Sequence, residues 1–318
     1  MPPNPLDIGL VLPTAGGISG AVEADAISEA AVWAESNGFD SAWAGDHVVH
    51  HGPILDCIVA LSTAAASTSR IRVGTGVLLL ALRGLTVAAK QLASLAYVSQ
   101  GRLIVGVGVG GEFPLEWEAS GVPLAERGSR TDEYLPVLRR LLDGERVAHQ
   151  GTFAQLDGVR LEPVPPAPVP ILGSGRALRA LNRAARVTNG WIGFLQTPNG
   201  FSRAVALLKD ERVATGRASE PFTYGLLVSF HLTKKDEGAH REAAELLVAS
   251  HGGATVNVLE RFVVAGTAAS VVEQLVRFRA LGCSLFVVNP ADDRPVRRAE
   301  QFEEFAREVI PVLRALAG

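Results

Sequence analysis

Cysteine is scarce. Cys57 and Cys283 are the only two in 318 residues. They are too far apart for metal-ligand spacing and form no clustered disulfide framework. Both are expected to be reduced thiols in or near the core. An excess of charge of one sign is also lacking: 30 Lys and Arg face 33 Asp and Glu, with no block of like charge. That balance gives no support for a nucleic-acid partner. Residues 1–5 show no basic region leading into an apolar signal core, and no apolar run reaches membrane-spanning length without a charge or a turn. The expectation is a cytoplasmic protein with no membrane partner. No Gly-Lys-Ser/Thr follows the glycines, so there is no P-loop, and Gly-x-Ser-x-Gly and His-Glu-x-x-His are both missing. A hydrolase is therefore not selected, and no metal site is expected.

Apolar residues and glycine are plentiful. Nearly half the chain is apolar, enough for a sizeable core, and short apolar runs alternate with helical patterns. Strands are expected near residues 8, 41, 71, 103, 170, 190, 225 and 285, with helices between them. Eight parallel strands with helical crossovers predict an α/β fold, a (β/α)8 TIM barrel with insertion segments in the rim loops. A doubly wound open sheet is the alternative. The even alternation without a clear linker favours one barrel domain over residues 1–318. Ser129-Arg-Thr-Asp132 has capping-box spacing and predicts a helix start there. A last helix is expected over Val296–Leu316, and residues 252–264 are ambiguous.

In such a barrel the C-terminal strand ends share one rim, where chemistry-bearing groups converge. Asp46 and His47 follow the second strand. Histidine exchanges protons near neutral pH, so His47 is a candidate catalytic residue. Consecutive strand residues point to opposite faces, so Asp46 and His47 need not touch. Gly74 to Val77 follows the third strand. The run Leu103-Ile-Val-Gly-Val-Gly-Val-Gly-Gly-Glu112 forms the fourth strand and its exit. Its glycines, Gly106, Gly108 and Gly110 among them, fit either close approach of a ligand or tight internal packing. Gly173-Ser174-Gly175-Arg176 precedes a helix. Free backbone N–H groups there suit a phosphate, with an ordinary turn as the alternative. Trp43, Trp191 and Phe194 either line a flat-ring pocket or pack in the core. His50 and His51 read as solvated loop.

Taken in order, Gly38-Phe-Asp-Ser-Ala-Trp-Ala-Gly-Asp-His47, Ser69-Arg-Ile-Arg-Val-Gly-Thr-Gly-Val77, Gly101-Arg-Leu-Ile-Val-Gly-Val-Gly-Val-Gly110, Arg127-Gly-Ser-Arg-Thr-Asp-Glu-Tyr134 and Ala265-Gly-Thr267 resemble the luciferase-like flavin and deazaflavin oxidoreductase family. The resemblance spans roughly residues 7–311. It implies a TIM-barrel enzyme, and Gly45-Asp-His47 looks more like the branch that uses coenzyme F420 for hydride transfer. FMN is the alternative cofactor, in monooxygenases supplied with reduced flavin by a separate reductase. A non-catalytic cofactor-binding barrel is a further alternative. By the same resemblance, His47 lies by the deazaflavin ring and takes part in proton transfer, and Asp46 helps bind the ring region. Gly76-Val77 forms a non-prolyl cis peptide and a bulge behind the ring. The segments Gly106 to Gly110 and Gly173 to Arg176 hold the cofactor's side chain and phosphate. Sugar-phosphate-oxidising relatives carry a catalytic glutamate where this chain has Gly111. Glu112, one residue later, is the remaining candidate. The substrate is expected to be a small molecule and the assembly a homodimer.

Overall fold

The structure is a computed structural model that describes residues 5–16, 20–251 and 254–317. Eleven strands are present: β1 (Asp7–Val11), β2 (Ser41–Ala44), β3 (Arg72–Leu78), β4 (Leu103–Val107), β5 (Val147–Gln150), β6 (Gln155–Val159), β7 (Ile171–Ser174), β8 (Gly190–Phe194), β9 (Thr223–Leu232), β10 (Val264–Gly266) and β11 (Leu285–Pro290). The ring runs β1-β2-β3-β4-β7-β8-β9-β11 and closes where β11 pairs with β1, every contact parallel. All eight strands expected from the sequence are staves of this barrel. Closure satisfies the edges that an open sheet would leave unpaired.

The apolar runs follow from burial on both faces. Inside the barrel, Trp43 packs with Ile104, Leu172, Ile192, Leu285 and Val287. Outside, the strands meet a larger layer under the helices, with Leu10, Leu61, Leu92, Leu138, Phe201 and Phe305 fully or almost fully buried. Fully burying one such side chain stabilises by about 1.5–3 kcal/mol. Cys57 and Cys283 are free and buried, and burial pushes both thiols up.

Several helix ends match their sequence signals. Asp56 accepts from the amides of Ile58 and Val59 at the start of Cys57–Ser67, and Thr267 accepts from Ser270 at the start of Ala268–Ala280. The capping box does not form. The helix already begins at Arg127, continuing a 3-10 turn at Leu124–Glu126, so Ser129 lies inside it. Asp132 instead binds Arg179 and Arg183 on the neighbouring helix Leu178–Val187. The last helix also differs. It is divided into Pro295–Glu304, a π-helical turn at Phe305–Val309, and Ile310–Ala317. Pro311 has no N–H to continue the regular ladder, and the wide turn precedes it.

Two insertions leave the barrel rhythm. β5 and β6 form an antiparallel hairpin before β7. The ambiguous segment contains a short helix, Val256–Leu259, and then β10, which pairs with the end of β9 outside the ring. Gly252 and Gly253 lie outside the described residues. Among the described residues, no helix is long and apolar enough to cross a membrane.

Candidate active site

The exit of β2 separates two neighbouring side chains. Asp46 is buried, and its carboxylate accepts from the amide of Leu79 at 3.0 Å and from Arg83 Nη2 at 2.7 Å. Arg83 also reaches Asp56 at 2.6 Å. Burial works against the charge of Asp56, yet the Arg83 hydrogen bond and the amides of Val59 and Ile58 hold its carboxyl below the usual range. Asp46 thereby ties the exit of β2 to the segment that follows β3. Its carboxylate oxygens are committed to the protein itself.

His47, just beyond the end of β2, makes a different contact. Its Nδ1 lies 3.2 Å from Oε2 of Glu116, whose side chain is 0% exposed while that of His47 is 22% exposed. The same oxygen accepts from the amide of Val48 at 3.3 Å. Oε1 of Glu116 has no hydrogen-bond partner among the described residues. Buried polar atoms are nearly always paired, so this orphan beside a part-exposed histidine makes the pair a candidate site. Phe113 packs edge-on to the His47 ring at 5.1 Å and against His50 and His51 at 4.7 and 4.4 Å. The two histidines lie in loop as expected, His51 exposed and His50 half-buried, and both contact Phe113 in an aromatic cluster that ties the β2 exit to the β4 exit.

The glycines are explained first by internal packing. The Gly76–Val77 bond is cis, and the ladder between β3 and β4 skips between Thr75 and Leu78. The bulge expected there is present. A side-chain carbon on Gly106 would collide with the carbonyl of Thr75, and one on Gly108 with Val77. Both glycines are buried, while Gly76 and Val77 are only part-buried. At Gly74 the same carbon would lie 2.5 Å from the Trp43 ring. Gly110 makes room for Leu79, and Gly111, at φ +118°, for Arg127. Gly106 and Gly108 thus pack against the bulge, where Gly76 and Val77 are the more exposed residues.

At the exit of β7, Gly173 and Gly175 make room for Ala184 and Ala180, drawing the helix Leu178–Val187 close to the strand. Gly175 has φ +118°. Ser174 donates its hydroxyl to the carbonyl of Ile192 at 2.9 Å. The helix N-terminus receives no side-chain cap, and Arg176 is exposed with no ion pair among the described residues. An uncapped helix start beside a free guanidinium suits a phosphate.

The remaining expected residues differ in exposure. Glu112 is exposed. Trp43 and Trp191 are fully buried, the first hydrogen-bonded to Ser41 and the second to the carbonyl of Gly175, whereas Phe194 stays exposed at the end of β8. Sequence reasoning missed Arg83 and Glu116. Glu116 sits on a short rim helix, Pro114–Ala119, where Leu115 is exposed and the glutamate buried. Hydropathy points the other way there. Its location on a rim helix was the available signal.

Comparison with known proteins agrees with this architecture. The chain belongs to the luciferase-like monooxygenase family, whose model matches residues 6–285. It is 36% identical over 170 residues to an uncharacterized protein of Mycobacterium tuberculosis, spanning 54% of this chain and 58% of that protein. It is 30% identical over 220 residues to the F420-dependent hydroxymycolic acid dehydrogenase of the same organism, spanning 67% of this chain and 60% of that protein. Its fold matches that of an F420-dependent secondary alcohol dehydrogenase in complex with an F420–acetone adduct, with a TM-score of 0.84, 19% identity, and 98% and 99% of the two chains covered.

Proposed function

We propose that this chain is a coenzyme F420-dependent oxidoreductase that moves a hydride between the deazaflavin and a small organic substrate. The observation that carries the reading is His47, part-open at the rim and held from behind by a wholly buried carboxylate. The sequence match to an F420-dependent dehydrogenase favours the deazaflavin over FMN. When bound, F420 supplies a two-electron hydride acceptor or donor.

The residues present fit such a group. The uncapped helix start after Gly173-Ser174-Gly175, together with Arg176, would hold its phosphate. Gly76 and Val77 would bed the ring, with Gly106 and Gly108 leaving room for Val77 beside β4. Gly74 and Gly110 keep Trp43 and Leu79 seated in that bed. Asp46 acts indirectly by holding the end of β3 through Leu79 and Arg83. In the oxidising direction the substrate carbon loses hydrogen with its electron pair, and the proton left on the heteroatom passes to His47. Reduction runs the same path backwards. A homodimer and the absence of a nucleic-acid partner belong to the same reading.

The test is a spectroscopic titration of the chain with F420 and with FMN, followed by turnover on an alcohol and ketone panel. F420 is expected to bind and to change redox state with substrate. His47→Ala should retain cofactor binding and lose about 100-fold or more in kcat. Unchanged turnover in that variant would remove the proton-transfer role. Oxygen-dependent turnover with FMN alone, served by a separate reductase, would replace this reading with a flavin monooxygenase.

A further inference from the structure

Glu116 is more than a neighbour of His47. Oε2 faces two groups, the Nδ1 of His47 at 3.2 Å and the amide of Val48 at 3.3 Å. A backbone amide can only donate, so Oε2 is an acceptor here. An ionised carboxylate offers lone pairs and no hydrogen, so with Glu116 ionised the hydrogen between it and the ring belongs to Nδ1. The neutral imidazole then carries its lone pair on Nε2. Nε2 has no hydrogen bond among the described residues, and the ring is the part-exposed member of the pair. Phe113, edge-on at 5.1 Å, packs against the same ring.

We infer that Glu116 is the positioning residue for His47: its buried carboxylate keeps the proton on Nδ1 and leaves Nε2 as the nitrogen that exchanges a proton with substrate. The inference rests on the reading of His47 as the proton-handling group and names the residue that prepares it. During oxidation the substrate's O–H or N–H bond breaks and its hydrogen binds Nε2 as a proton, while the neighbouring C–H bond breaks, its hydrogen leaving with the electron pair as the hydride that F420 would accept, and the carbon–heteroatom double bond forms. The ring becomes an imidazolium facing a fully buried carboxylate, where low local dielectric strengthens their attraction. During reduction the proton returns to the substrate. Glu116 gains and loses no proton in either direction.

The decisive measurement is the 15N spectrum of the His47 ring in the cofactor-free chain, in alkaline buffer, assigned by its loss in His47→Gln. Wild type is expected to carry the hydrogen on Nδ1. Glu116→Met, similar in length but unable to accept, should transfer it largely to Nε2. Its kcat should fall by about 100-fold while the cofactor dissociation constant stays within about twofold. Glu116→Gln, whose amide oxygen still accepts, should retain the Nδ1 hydrogen and lose less activity than Glu116→Met.

An Nε2–H ring in wild type overturns the inference, and that result needs no variant to fold. A tautomer unchanged by Glu116→Met also overturns it, as does full turnover in a variant whose tautomer has switched. A wild-type chain that shows the expected ring but turns over neither cofactor overturns the proposed reaction and leaves the pair standing.

Discussion

Strand β2 begins and ends beside a charged cluster. At its start, Ser41 donates to Asp7 at 3.0 Å, and Asp7 pairs with Arg72 at the start of β3. At its end, Asp46 pairs with Arg83, and His47 with Glu116. At the starting face both oxygens of Asp7 are engaged, one by Ser41 and the other by Arg72. At the exit face Glu116 keeps an oxygen without a hydrogen bond among the described residues, and His47 keeps a nitrogen in the same state. Glu116 is fully buried and Asp7 mostly so, but of the two carboxylates only Glu116 keeps an unpaired oxygen among the described residues. In a barrel of this kind the starting face serves stability and the exit face chemistry. The Asp46–Arg83 pair belongs to the exit face yet resembles the starting one, because its bonds are all spent within the protein.

The largest effect that tests this contrast is expected at Arg83. Arg83→Leu strands the buried Asp46 and should cost about 3–5 kcal/mol in denaturant unfolding. A loss below 1 kcal/mol would show that Asp46 does not depend on the pair. Next comes Gly108→Ala, which should cost about 1–3 kcal/mol by overpacking against Val77. Combining it with Val77→Ala should recover much of that loss in a double-mutant cycle. Strict additivity would mean that Gly108 does not answer to Val77.

The smallest effect lies at the starting face. Burial pushes Asp7 up to about 6, against the opposing charge of Arg72. Below about pH 4 its carboxyl is protonated in both folded and unfolded chains, and its contribution to stability is complete. As pH rises toward 6 the unfolded chain releases the proton first, and that stability is lost. Asp7→Asn should therefore flatten the decline between about pH 4 and 6 by roughly 1–2 kcal/mol, after loss of the Arg72 pair is set against it. A thermal-melt series in which the variant keeps the wild-type slope would assign the decline to other groups.

The barrel was highly legible. Each stave is buried on two faces, so an apolar run such as Leu103–Val105 announces itself whatever surrounds it. The helix caps at Asp56 and Thr267 were equally readable, since a cap acts within three residues of its own chain. Ser129 misled because a preceding 3-10 turn removed the need for a cap. The Gly76–Val77 bulge was expected through the family resemblance, and the candidate site was legible at His47 through its place at a strand exit. It was illegible at Arg83 and Glu116, whose partners lie 37 and 69 residues away along the chain.

Periodicity and glycine placement in the linear chain determined the eight staves, their parallel order and the rim on which His47 stands, because side-chain direction and helix propensity act over a few residues. Tertiary structure alone decided which polar atoms are already spent. It paired Asp46 with Arg83, filled the space at Gly106 and Gly108 with the chain's own atoms, and set a buried glutamate behind His47. Hydrogen bonds and packing collisions depend on distances in space, and separation along the chain does not encode those distances.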